Sequence, residues 1–418
     1  MKTVALVAFI TVYALLLLLP RGRWIAPVAA AALFVGVGIV PAGAAWEAVD
    51  WNVLMMLCGT MGTVDLFIRS KMPERLSDHL VNAIPSVKKL IIVLALFAGL
   101  VSAFVDNVAT VLMLAPVGIA IAKKLNISPV EPIIAIAVSS NLQGAATLVG
   151  DTTSLLLAGH LKMDFLDFFV YQGKPGMFWF VQIGALATVP VMMWLFRKDE
   201  GYVAPAQPTV VALILASFIP GRPAMTNGFI CMGIFLVGLL AECFLPKKVR
   251  EDEKRGWAAR AAETLKAIDV GTLALLAGLF IVIDGLNRVG IIADISQALS
   301  HVGGGSPFLT YTIVVWASVL FSAFIDNIPY TAAMLPVMAG AAGTMGIDQT
   351  VLCFGLLVGA TLGGNLTPVG ASANITATAI LEKEGYLVSP KEFMRIGVPF
   401  TLVAVLSGYV LVWVFYGM

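Results

Sequence analysis

Two short stretches put carboxylates and carboxamides where an apolar chain has least reason to carry them. Ser102-Ala-Phe-Val-Asp106-Asn107 recurs as Ser322-Ala-Phe-Ile-Asp326-Asn327. At the same offset, Pro116 meets Pro336, and Gly144, Thr147 and Gly150 meet Gly364, Thr367 and Gly370. A second register joins Gly59, Asp65 and Arg69 to Gly278, Asp284 and Arg288. The chain is a duplicated half, and the duplication keeps its polar residues.

The candidate ion- and substrate-binding residues of the first half are Asp106, Asn107, Thr110, Asn141, Thr147, Asp151, Thr152 and Thr153. Those of the second are Asp326, Asn327, Thr331, Asn365, Thr367, Ser372 and Asn374. All offer hard oxygen, which suits Na⁺, H⁺ or a small hydroxylated molecule rather than a soft metal. Within the apolar segments Asp65, Asp106, Asp151, Asp284 and Asp326 meet no Lys or Arg other than Arg69 and Arg288. A charge at mid-bilayer costs at least about 2.5–3.5 kcal/mol, so an uncompensated acid must bind a cation, take a proton or face water. Asp106, Asp151 and Asp326 are thus the expected proton carriers. Helix capping is the plainer role open to Asp106 and Asp326, which both follow a chain reversal. Asp65 and Asp284, four residues before an arginine, have the spacing of a structural ion pair. Asp151 has Ala371 as its counterpart, so the ion or proton load is expected mainly on the first half.

The elements that hold these residues are membrane helices. The 418 residues are 59% hydrophobic and 12% charged, a composition of polytopic helical proteins. Crossing segments are expected at 4–20, 24–41, 50–68, 128–160, 175–196, 207–220, 226–245, 269–287, 348–381 and 396–417. Met1-Lys2 before an apolar run resembles a signal peptide, but no small-x-small site follows and Arg21 and Arg23 come next, so a retained first span is expected. Alternating the loops gathers all of the 26 basic residues on one side except Lys2, Lys162, Lys174, Arg222 and Arg288. That side is expected to be cytoplasmic, with both termini outside, in a prokaryotic inner membrane.

Residues 88–122 have lysines at both ends, and their two legs are too short to cross, so they are expected to form a re-entrant hairpin. Its partner, 308–343, has no basic residue near it and is expected to open on the opposite face. Residues 128–160 and 348–381 are interrupted midway by Gly, Thr, Asn and Asp, with Pro368 removing a donor. They are expected to be broken spans whose unwound backbone lines a polar cavity. Amphipathic stretches 72–84 and 290–301 are expected to lie flat at the interface. The fold class expected is all-α, with two inverted-topology repeats. The first half is 1–245, with repeat one at about 50–200. A cytoplasmic linker occupies 246–268, and the second repeat occupies 269–418.

The two Asp-Asn stretches, with Thr147-Leu-Val-Gly-Asp-Thr-Thr153 and Gly370-Ala-Ser-Ala-Asn374, resemble the ion transporter superfamily. The likeness covers roughly 50–400 and is to the branch of arsenite permeases, NhaD-type sodium/proton antiporters and the P protein. It implies two repeats with hairpins and broken helices, elevator-like alternating access and often a homodimer. The sodium/dicarboxylate members carry Ser-Asn-Thr at these tips, unlike Asp106-Asn107-Val and Asp326-Asn327-Ile here.

The function expected is proton-coupled antiport of a small inorganic ion. Na⁺/H⁺ exchange comes first, arsenite or antimonite efflux second. The alternatives are sodium-coupled carboxylate transport and a passive channel on the same fold. No nucleophile–base pairing, metal motif or cofactor fingerprint points to an enzyme. No basic patch interleaved with aromatics points to nucleic acid. The cysteines Cys58, Cys231, Cys243 and Cys353 are spaced as packing residues.

Overall fold

The structure is a computed structural model describing residues 1–18, 24–69, 86–125, 127–197 and 268–418, together with 232–233, 235–237 and 265; the side chains of 63–69 lie outside it. Expectations for 72–84, 207–220 and nearly all of 226–245 and of the 246–268 linker therefore fall outside the described residues. So does the Asp65–Arg69 pair.

Four helices come before the first repeat core: α1 (Lys2–Leu18), α2 (Ile25–Gly36), α3 (Ala42–Ala48) and α4 (Trp51–Arg69). The expected crossing at 24–41 is not continuous. Its helix has 12 residues, about 18 Å of rise against a core of about 30 Å, and stops where Gly38 takes a left-handed φ of 79°.

The first hairpin is α5 (Val87–Ser102) and α6 (Asn107–Leu125), followed by α7 (Val130–Gly144) and α8 (Thr152–Leu161). A short β-hairpin pairs Val170–Tyr171 with Lys174–Pro175 before α9 (Met177–Leu195). The second half repeats the series. α10 (Val270–Arg288) and α11 (Ile291–Val302) lead to a hairpin, α12 (Pro307–Ser322) and α13 (Asn327–Met345). Then come α14 (Gln349–Gly363), α15 (Ser372–Lys383) and α16 (Pro390–Val412). The hairpin legs have 16 and 19 residues in both halves, about 24 and 28 Å. As expected, the chain turns at Asp106 and Asp326; the first legs fall short of a core of about 30 Å, while the second legs are longer than expected and nearly reach it.

Packing follows the duplication. α5 lies on α7 as α12 lies on α14, and each half lends its last helix piece to the other: α8 packs on α13, and α15 packs on α6. The two hairpins open at opposite ends. At one end Lys123, closing α6, pairs with Glu384 beyond α15 at 2.5 Å, and Arg395 in α16 pairs with Glu131 in α7. At the other end the Tyr416 hydroxyl shares its one proton between the Tyr171 and Pro175 carbonyls, at 3.2 and 3.1 Å. There Tyr171 meets Phe354 of α14, and Thr310, opening α12, reaches Met345, closing α13. From Arg395 to Tyr416 the last helix rises about 31 Å, one hydrocarbon thickness. The repeats are inverted.

α11 meets α12 at a bend of 113°. Lys2 of α1 pairs with its Asp294 at 2.5 Å. α1 also touches the second hairpin, where the Tyr13 hydroxyl donates to the Pro329 carbonyl at 2.5 Å. Asp284 and Arg288 form the expected one-turn ion pair, 2.5 Å.

Candidate functional site

Each hairpin tip is closed by an acid that caps the second leg. The Asp106 carboxylate accepts from the Val108 and Ala109 amides at 3.0 and 3.2 Å, and Asp326 accepts from the Ile328 amide at 3.1 Å. Aspartate is among the best residues for this task, so the capping role is real at both tips.

Each tip is fastened to the break of its own repeat. The unwound residues 145–151 follow α7, and 364–371 follow α14, with one 3₁₀ turn at Gly364–Leu366. Thr147 donates its hydroxyl to the Ala103 carbonyl, and Thr367 donates to Ala323 in the same way. Backbones touch here. A Cβ on Gly150 would lie 2.6 Å from the Gly144 oxygen and 2.8 Å from that of Ser102. On Gly370 it would lie 2.5 Å from the Gly364 oxygen. Glycine is required by approach, not by dihedral angle.

The halves meet through polar side chains. Asn141 donates to the Asn365 and Asn374 side-chain oxygens at 2.7 and 2.9 Å, and Asn365 donates onward to the Val138 carbonyl at 2.9 Å. On the other side of the seam Thr153 and Thr361 touch at 2.9 Å. Thr153 gives its one proton to the Asp151 carboxylate at 2.9 Å, so Thr361 must be the donor in that pair. Asn327, from the second tip, reaches Asp151 at 3.5 Å. Asn107 is held by the Ser102 hydroxyl at 2.8 Å, and Ser140 donates to Ser102 at 2.9 Å.

Among the described buried residues Asp151, 6% exposed, is the only charged one. Asp106, Asp151 and Thr152 line a cavity of about 20 Å³, walled by Leu57 and Met61 of α4. That is room for roughly one water or one bare monovalent ion. Among the described residues no three His, Cys, Asp or Glu side chains are grouped to hold a metal. Asp106 and Asp151 thus share one cavity, with no third acid among the described residues grouped with them. The hydroxyls of Thr110 and Thr331 and the Asn141 side-chain oxygen are buried without a hydrogen-bond partner.

Of the fifteen residues singled out by sequence, twelve are buried and Asp106 and Asp326 are half-buried at the tips. Ser372 is the exception: it stands exposed in the first turn of α15, because the helix there turns Ala373 and Asn374 inward. Thr361 and the serines Ser102 and Ser140 were not singled out. Thr361 is the register mate of Asn141, so reading the repeat position by position exposes it.

The comparisons with known proteins agree with this architecture. A family model described as citrate transporter, CitMHS, matches residues 13–352. An uncharacterized transporter of Mycobacterium tuberculosis is 29% identical over 439 residues, covering 100% of this chain and 99% of that one. A second, from Mycobacterium bovis, is 30% identical over 383 residues, 88% of this chain and 87% of its own length. The human P protein is 27% identical over 454 residues, covering 87% of this chain, which spans 53% of that protein. Among solved structures, the YdaH transporter of Alcanivorax borkumensis superposes with a TM-score of 0.58 at 15% identity, covering 92% and 88% of the two chains. MtrF of Neisseria gonorrhoeae, of a class of antimetabolite efflux pumps, gives 0.55 at 15%, covering 89% and 82%. These two likenesses concern the fold.

Proposed function

The chain belongs to the CitMHS citrate-transporter family within the ion transporter superfamily, and from that premise we propose that it exchanges protons for a small hard cation, Na⁺ first. It is an integral membrane transporter, and its family and relatives are transporters rather than enzymes. The observation that carries the cation reading is Asp151. It is a buried carboxylate whose partners are a hydroxyl and an amide, with Asp106 on the same water-sized cavity and no basic side chain among the described buried residues. Such an acid is stabilised in turn by a proton or by a cation, and that alternation is the exchange. Two tips that open at opposite ends around one acid let it be approached from either face alternately, as inverted repeats do. By the positive-inside rule, the Arg395 end is the cytoplasmic one.

Carboxylate transport is the second reading, favoured by the description of the family model. Against it stands the sign of the site. A free tricarboxylate would enter beside Asp106 and Asp151, with no basic side chain among the described buried residues to receive it, and like charges repel strongly at low dielectric.

The test is a purified protein in sealed liposomes with an imposed pH gradient, offered Na⁺, Li⁺, K⁺, arsenite, antimonite and citrate in turn. Uphill Na⁺ movement that collapses with the proton gradient is expected. Uphill citrate movement with Na⁺ left at equilibrium would overturn the cation reading, and dissipation of every gradient would make the protein a channel.

A further inference from the structure

The two repeats close their unwound segments by different means, and we propose that the first repeat alone loads the coupling cation because the side-chain amide of Asn374 holds the corresponding place in the second. The proposal rests on the cation-exchange reading above.

In the repeat register Ser154 meets Asn374, and the carbonyls of Gly144 and Thr147 meet those of Gly364 and Thr367. Asn374 has two amide hydrogens. It gives one to the Gly364 carbonyl at 3.0 Å and the other to the Thr367 carbonyl at 3.1 Å. Its orientation is fixed, because carbonyls only accept and its own oxygen receives Asn141 at 2.9 Å. Both carbonyls of the second break are therefore occupied by N–H groups, and Asn374 is fully buried.

Ser154 has a single proton, which reaches the Gly144 carbonyl at 3.3 Å. No donor among the described residues reaches the Thr147 carbonyl. The neighbours differ in the same direction. Asp151 stands where the second repeat has Ala371, and Thr153 stands where it has Ala373. The first repeat places the Asp151 carboxylate on the water-sized cavity and leaves the Thr147 carbonyl without a donor among the described residues, oxygens of the kind a hard cation takes. The second offers two methyl groups and two carbonyls already facing positive hydrogens. A tethered amide does there what a bound cation would do: it brings partial positive charge to the carbonyl oxygens of buried residues. Fold symmetry is kept while ion count is halved.

Binding of radiolabelled sodium to the detergent-purified full chain tests this without any transport measurement. The wild type should show one saturable site per chain, and Asp151→Asn should show none. Ala371→Asp with Asn374→Ser gives the second repeat the first repeat's residues at those two places, and this double variant should bind two. Two sites in the wild type, or one surviving in Asp151→Asn, overturns the proposal while leaving cation exchange standing. No saturable sodium in any protein overturns both readings. Should the double variant fail to fold, the wild type and Asp151→Asn decide the matter between them.

Discussion

Thr153 and Thr361 face each other hydroxyl to hydroxyl at 2.9 Å across the seam between the two halves. The direction of their bond is set by Asp151, which takes the Thr153 proton. One threonine of the second repeat thus supports an acid of the first. Removing the Thr361 hydroxyl in Thr361→Val should weaken cation binding by about three- to ten-fold, through the loss of one hydrogen bond of about 1 kcal/mol. An unchanged sodium affinity would show that this relay does not reach the ion.

Asp151→Asn should leave the helices in place and abolish saturable cation binding, because it removes the only charged side chain among the described buried residues. Uphill exchange in liposomes should vanish. Retained pH-driven exchange would remove Asp151 from the mechanism.

Asp106→Asn separates capping from ion handling. Asparagine caps a helix as well as aspartate does, so melting in detergent should stay within about 0.5 kcal/mol of the parent. Exchange should nonetheless fall, because the water-sized cavity loses one of its two carboxylates. Full activity together with full stability would reduce Asp106 to a cap.

Gly150→Ala and Gly370→Ala place a methyl 2.6 and 2.5 Å from the nearest carbonyl oxygen. Each should cost about 1–3 kcal/mol, read as lowered thermal stability. Neutral effects at both positions would mean that tip and break are not in contact.

Single cysteines at Glu384 and Lys174 should react with an impermeant maleimide from opposite faces of oriented vesicles, since the two positions mark opposite ends of the bundle. Labelling of both from one face would contradict the inverted arrangement.

Much of this was legible in the sequence because duplication repeats a signal that a single copy would carry weakly. Asp106-Asn107 and Asp326-Asn327 are costly residues in apolar surroundings, and the same cost twice at one spacing marks the tips. The short first legs followed from helix rise and the positions of the lysines. What the sequence did not disclose depends on contacts between halves. Ser372 and Asn374 read alike as polar residues beside a glycine, and only the phase of α15 turns one outward and the other into the seam. Thr147 and Thr367 looked like ligands, and their hydroxyls turn out to be donated to tip carbonyls. Hydropathy alone extends the 12-residue α2 to a full crossing because it continues through Gly38, where a left-handed residue follows the helix end.

The threonine fastening of each tip to its break bears on how a path across the membrane opens. A tip that lifted away by itself would strand a hydroxyl and a carbonyl in a place without solvent, at both ends of each broken bond. Parting either tip from its break therefore carries that cost, and a single threonine in each repeat sets it.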